Sequence, residues 1–170
     1  MINKIKTFGF LFLVFFISTN VFASCKFEFI PMKSSFSSFE KKISFGLNSG
    51  SVIDDVSSYP VPIEEICKDK EFKMFPVVFS FVKNKLHQIF IEDIFTDIDH
   101  LSNLKNIYGE PSDFYEDNYT SGFKYYHWDL VSKHVFLVIK FSPNDSISNI
   151  EIVTNEFPKL IEKRNELLEE

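Results

Sequence analysis

The 170-residue chain contains few of the residues that mark specialised protein classes. It has 5 glycines and 7 prolines, which excludes collagen-like and low-complexity chains. Basic residues are also scarce, since 18 lysines and arginines stand against 24 acids, and the net charge of −6 argues against binding to a nucleic-acid backbone. The remaining composition, 45% hydrophobic and 25% charged, is that of an ordinary globular protein of one domain.

The common catalytic motifs are missing as well. The chain has no glycine-rich phosphate loop, no Gly-x-Ser-x-Gly elbow, no His-Glu-x-x-His and no Cys-x-x-Cys. His127 and His134 lie on neighbouring predicted strands, where they are expected to face each other across the hairpin with Asp129 nearby. We interpret them as strand histidines that make ordinary hydrogen bonds rather than as a metal site. We therefore predict no catalytic residues, no metal and no cofactor.

The N-terminal residues predict export. Lys4 and Lys6 precede the apolar run 8–17, which is too short to span a bilayer and is followed at once by polar residues. Val21 and Ala23 fit a signal-peptide cleavage after Ala23, and no second apolar segment of spanning length follows. The expected location is the bacterial periplasm or the outside of the cell.

A single α+β domain, 24–170, is expected to remain after residues 1–23 are removed. Its formal charge changes from −6 to −8 because Lys4 and Lys6 are lost. It keeps both cysteines, Cys25 and Cys67, which in an oxidising compartment are expected to form a disulfide bond. The alternative is a lipid anchor on Cys25, since Phe22-Ala23-Ser24-Cys25 is a tolerable lipobox, and the two interpretations exclude each other.

Hydrophobic alternation and turn residues predict an α+β fold: a mainly antiparallel sheet of about six to seven strands with a central helix, a short helix and a C-terminal helix. The clearest hairpin joins strands 72–82 and 86–95 through Lys83-Asn84-Lys85. Other predicted elements are a strand at 26–29, a polar loop at 34–38, a strand at 43–47, a short helix at 63–67, a helix capped by Thr96 or Asp97 and ended by Gly109, strands at 123–130, 135–141 and 150–152, and a helix opened by Pro158. The expected core is Phe79, Phe81, Leu137, Ile139 and Ile152, covered by Leu101 and Leu104.

The segment that follows Pro111 is expected to form a loop, from Asp113 to Tyr119, that combines acids with aromatics. Aromatic residues dominate the energy of protein interfaces, and acids beside them select a basic partner. The candidate binding residues are therefore Asp113, Tyr115, Glu116, Asp117 and Tyr119. In the alternative interpretation, Tyr115 and Tyr119 begin an edge strand and Asp117-Asn118 forms its turn.

Together these features predict an exported, non-catalytic envelope protein that binds another protein, of the inhibitor or immunity type. The expected partner is a basic protein, with no nucleic acid and no membrane span. Two alternatives stay open: a lipid-anchored component of an envelope assembly, which depends on Cys25, and a cell-wall hydrolase whose catalytic residues are not recognisable.

Overall fold

The computed structural model of the chain describes residues 27–43, 51–53, 56–66, 76–93, 99–117, 122–141 and 146–168. The strands are β1 Ser51–Ile53, β2 Val56–Val61, β3 Val77–Val82, β4 Lys85–Asp93, β5 Asp113–Asp117, β6 Phe123–Leu130, β7 Lys133–Phe141 and β8 Ser146–Thr154. The helices are α1 Phe36–Glu40, a 3-10 helix Ile63–Glu65, α2 His100–Tyr108 and α3 Phe157–Leu168. Cys25 and Cys67 lie outside the described residues, so the predicted disulfide stays a prediction.

Within the described residues, eight strands form one sheet in the order β1-β2-β3-β4-β8-β7-β6-β5. Every neighbouring pair is antiparallel, so β1 to β4 form one meander and β5 to β8 form a second. The meanders meet where β4 pairs with β8, which places β5 at the far edge. The predicted α+β fold with a mainly antiparallel sheet is confirmed, and the three-residue β1 extends the sheet beyond the six or seven strands expected.

One face of the sheet, here called the core face, carries the buried hydrophobic side chains. Four of the five predicted core residues are buried, the exception being Ile139, which is partly exposed. Of the two helical residues expected to cover the sheet, Leu104 is buried and Leu101 is packed against the core but partly exposed. The core face is formed by Val77, Phe79 and Phe81 of β3, Ile89 and Ile91 of β4, Ile150 and Ile152 of β8, Val135 and Leu137 of β7, and Tyr126 and Trp128 of β6.

The predicted hairpin is confirmed as β3 and β4. Its turn consists of Lys83 and Asn84, which have φ angles of 47° and 64°. Positive φ at both central residues gives the turn a twist that matches the strands on either side. Asparagine tolerates this conformation well, which is why the polar Lys-Asn-Lys sequence indicates the turn.

The strand predicted at 26–29 is wrong, because residues 27–30 form a turn and a bend. This conformation buries both Phe27 and Ile30, which are three positions apart and would lie on opposite faces of an extended strand. Between them, Glu28 accepts a hydrogen bond from the phenol of Tyr108 and another from Nζ of Lys133 at 2.5 Å. These contacts tie the N-terminal segment to α2 and β7.

The polar loop predicted at 34–38 is also wrong, since α1 begins there at Phe36. The hydroxyl of Ser35 caps the helix by accepting a hydrogen bond from the amide of Ser38 at 3.4 Å. One turn of helix brings Phe39 onto the core face, where its ring centroid lies 4.9 Å from that of Phe79. The Ser35 cap and the buried ring of Phe39 both stabilise a helix in this serine-rich segment.

The N-cap of the central helix, α2, lies two residues later than the latest predicted cap, Asp97. Asp99 is the N-cap, and its carboxylate accepts one hydrogen bond from the amide of Ser102 at 3.0 Å and another from the hydroxyl of Ser102. These bonds hold the pKa of Asp99 below its usual value because they favour the ionised form. Gly109 ends the helix as predicted. No helix in the described ranges is long and apolar enough to cross a membrane.

A truncation in β7 tests this arrangement of strands. Leu137 is fully buried and β7 lies between β8 and β6, so Leu137→Ala removes packed methyl groups and leaves a cavity. We expect a loss of about 2–5 kcal/mol in the free energy of unfolding, measured by urea denaturation. Val131→Ala, at an exposed turn, is the control and should change stability by about 0.5 kcal/mol or less. A loss below about 1 kcal/mol for Leu137→Ala would contradict a central position of β7.

Candidate interaction site at the β5 edge

β5 is aligned on β6 by the short segment that follows α2. Gly109 has a φ of 83°, a conformation that favours glycine and turns the chain out of the helix. Nε1 of Trp128 donates a hydrogen bond to the carbonyl oxygen of Gly109 at 2.8 Å. The amide of Ser112 donates to the carbonyl oxygen of His127 at 2.7 Å. These two contacts hold the segment against β6, so β5 begins at Asp113 already in register.

β5 is an edge strand. All five of its residues pair with β6, and in the described part of the chain no other strand pairs with it. The loop expected here is therefore wrong and the alternative of an edge strand is confirmed for Asp113–Asp117. Four of the five candidate binding residues lie in this strand, whereas Tyr119 is outside the described residues.

The candidate residues divide between the two faces of the sheet, as side chains of a strand must. On the face opposite the core face, Oδ2 of Asp113 lies 3.3 Å from Nδ1 of His127. On the core face, Oε1 of Glu116 accepts from Nζ of Lys124 at 3.0 Å. The two acids therefore point in opposite directions and do not form a single acidic patch.

Each face of β5 also carries one aromatic ring that is about half exposed. Phe114 is 55% exposed and stacks on Tyr126 at a centroid distance of 5.0 Å on the core face. Tyr115 is 56% exposed and lies 5.7 Å from the ring of Phe123 on the opposite face. In both cases one side of the ring is supported by β6 and the other is left to solvent. Such supported rings lose little conformational freedom when a partner covers them.

Phe114 is the residue of this site that the sequence analysis missed. The candidate set contains Tyr115 and omits its neighbour Phe114, because in an expected loop no alternation of faces points to the phenylalanine. The alternation of a strand is the signal that could have found it. In an edge strand, two consecutive aromatics such as Phe114 and Tyr115 place one ring on each face.

Beside β5, the face opposite the core carries a cluster that we call the histidine face, defined by Tyr125, His127, His134 and Phe136. Nε2 of His127 and Nδ1 of His134 are 3.1 Å apart and share a hydrogen bond. The ring of Phe136 stacks on His127 at a centroid distance of 4.7 Å. The expectation that the two histidines face each other across the β6–β7 hairpin is confirmed.

Two carboxylates flank the histidine pair, one at each end. Asp113 approaches His127, and Oδ1 of Asp129 lies 3.3 Å from Nδ1 of His134. Asp113, His127, His134 and Asp129 thus form a row of polar contacts along this face. Across the described ranges, no group of three or more histidine, cysteine or acidic side chains is arranged to hold a metal ion.

The charges at the β5 edge differ in how much they are neutralised. The hydrogen bond and ion pair with Glu116 raise the pKa of Lys124, because the carboxylate favours the charged ammonium. Asp113 contacts His127 at 3.3 Å, and the Asp113 side chain is 73% exposed. Of these two acids, Asp113 therefore presents more of its negative charge to solvent.

Comparison with known proteins gives no assignment for this chain. No protein family, no curated protein and no solved structure matches it. Its function therefore has to be inferred from its own side chains. Among the described residues, the strongest candidates are the two half-exposed rings and the exposed carboxylate of β5.

The pKa of Tyr125 tests the side-chain arrangement at this site. Burial raises the pKa of its phenol, and the carboxylates of Asp113 and Glu151 raise it further, because a nearby negative charge opposes formation of the phenolate. Asp113→Asn removes one of these charges, so we expect the pKa of Tyr125 to fall while burial keeps it above that of an exposed tyrosine. The measurement is a pH titration of the Tyr125 ring resonances by NMR.

The matched control is Glu116→Gln, which removes a carboxylate from the core face of the same strand. It should leave the pKa of Tyr125 unchanged. Equal shifts in the two variants would contradict the division of β5 between the two faces.

Proposed function

We propose that this chain is an exported, non-catalytic protein of the bacterial envelope that binds another protein, as inhibitors and immunity proteins do. The observation that carries the proposal is the β5 edge, where a strand that pairs only with β6 among the described residues presents a half-exposed ring on each face beside an exposed carboxylate. Large aromatic side chains are enriched among the residues that contribute most to binding at protein interfaces. The β5 edge is therefore the proposed docking site.

Charge supports a basic partner. The whole chain has a net charge of −6, and loss of Lys4 and Lys6 with the signal peptide makes the exported domain −8. Such a field attracts positively charged proteins and raises their rate of encounter. At the docking site itself, the exposed carboxylate of Asp113 supplies the local negative charge. The same charge disfavours a nucleic acid as the partner.

A lipid-anchored component of an envelope assembly is the second candidate. Its support is the sequence Phe22-Ala23-Ser24-Cys25, which fits lipid attachment at Cys25. In that case the chain would be held at a membrane surface, and the β5 edge would contact another member of the assembly. The two candidates differ in the chemistry of Cys25.

Intact mass decides between them. We expect Cys25 and Cys67 to form an intramolecular disulfide in the exported protein, because both residues follow the cleavage site and enter an oxidising compartment. Alkylation without reductant should then add no mass, whereas alkylation after reduction should add two groups. Two reactive thiols before reduction would contradict the disulfide, and a diacylglyceryl mass on Cys25 would establish the lipid anchor instead.

Binding kinetics test the docking site. The partner is recovered from envelope extract on the immobilised chain, and its association is measured at two ionic strengths. Asp113→Asn with Glu116→Gln should slow association about 3- to 10-fold at low salt and weaken its salt dependence, because steering by charge is lost. Tyr115→Ala should mainly speed dissociation, by about 10- to 30-fold, since it removes an anchoring ring.

The control pair is Glu40→Gln with Glu64→Gln, which removes the same charge from α1 and from the 3-10 helix. These elements adjoin β3 and β2, which lie in the half of the sheet formed by β1 to β4, away from the β5 edge. If the control pair changes the association rate as much as the β5 pair does, overall charge rather than the β5 edge determines the rate, and the proposed docking site is contradicted. Hydrolytic turnover by the purified chain, lost when one histidine or acid is changed, would overturn the non-catalytic proposal.

A further inference from the structure

We infer that the β5 edge binds an extended basic segment of the partner by adding it to the sheet as a further antiparallel strand. This inference rests on the proposed function, since it states how the same edge would hold its partner. Strand addition supplies affinity through main-chain hydrogen bonds and specificity through alternate side chains. The five residues of β5 extend over about 17 Å, which is enough for a stable short pairing.

The side chains of β5 define what the added strand must carry. Residues directly opposite each other on paired strands interact, and opposite charges or aromatic and β-branched pairs are favourable. A basic residue therefore fits opposite Asp113 and another opposite Glu116, with β-branched residues opposite Phe114 and Tyr115 between them. The expected pattern in the partner is basic, apolar, apolar, basic.

The two basic positions are not equivalent. Glu116 already contacts Lys124 at 3.0 Å, so a second cation there would share its carboxylate. The Asp113 side chain is 73% exposed, and its contact in the described part of the chain is with His127, which is neutral unless protonated. We therefore expect the position opposite Asp113 to discriminate more strongly between partners.

A second copy of this chain is the wrong occupant. If two β5 strands paired antiparallel with Tyr115 opposite Tyr115, Asp113 would stand opposite Asp117 twice. A shift by one residue would place Asp113 opposite Glu116 instead. Like charges directly opposite each other destabilise a strand pair, and charged edge strands are a known protection against self-association. The acids of β5 thus disfavour pairing with itself and favour a basic strand.

The probe is a synthetic peptide, acetyl-Thr-Lys-Val-Val-Lys-Thr-amide, added to the chain as recovered after export. Amide hydrogen exchange measured by NMR should slow by about tenfold or more in β5 at peptide saturation, because outward amides gain hydrogen bonds. Asp113→Asn should weaken peptide affinity about two- to fivefold, and Glu116→Gln should weaken it less. Two control peptides carry N-methyl groups on alternate residues, and the positions methylated in one are those left free in the other. Because alternate amides of an added strand point toward β5, at least one of the two peptides should lose binding.

The outcomes separate this inference from the proposed function. Equal binding of the parent and both N-methylated peptides would overturn strand addition, as would protection at β1 rather than β5. No peptide binding, combined with a natural partner that still responds to the Asp113 and Glu116 variants, would overturn strand addition and leave the proposed function intact. Protection of β5 by the peptide, with unchanged kinetics for the natural partner in the Asp113 and Glu116 variants, would overturn β5 as the docking site and therefore this inference as well, because the partner would then bind elsewhere.

Discussion

The pairing of β4 with β8 is the contact on which the rest of the fold depends. It joins two meanders whose internal contacts are local, and it brings Asp93 opposite Ser148, 55 positions later in the chain. At its centre, Ile89 lies opposite Ile152 and Ile91 opposite Ile150, and all four side chains are essentially fully buried. Because ordering so long an intervening segment costs conformational entropy, the burial of these side chains has to offset that cost.

This junction also determines where the candidate site lies. Once β8 occupies the position next to β4, the second meander can only continue outward through β7 and β6, so β5 becomes an edge. The chain crosses from the middle of the sheet to that edge through α2, and the Gly109 and Trp128 contact fixes the point of arrival. The exposure of Phe114 and Tyr115 is therefore a consequence of topology rather than of local sequence.

Local features of the fold could be predicted from the sequence, and non-local ones could not. The β3–β4 hairpin could be predicted because alternating Val77, Phe79 and Phe81 precede a turn whose residues suit positive φ. The facing of His127 and His134 followed from the spacing of one hairpin. The turn at 27–30 could not be predicted, because its conformation depends on the hydrogen bonds of Glu28 with α2 and β7, which lie far away in sequence.

The same limit applies to the site. The sequence indicated that Asp113, Tyr115 and Glu116 belong together, but their division between two faces follows from β5 being a strand paired with β6. An edge strand with exposed rings is exposed to unwanted association, and acids are one of the devices by which proteins control it. At β5 these acids have two physical consequences at once. They make the strand a poor partner for itself, and they are the reason that we propose a basic strand as its occupant, since such a strand would match both its main chain and its charge.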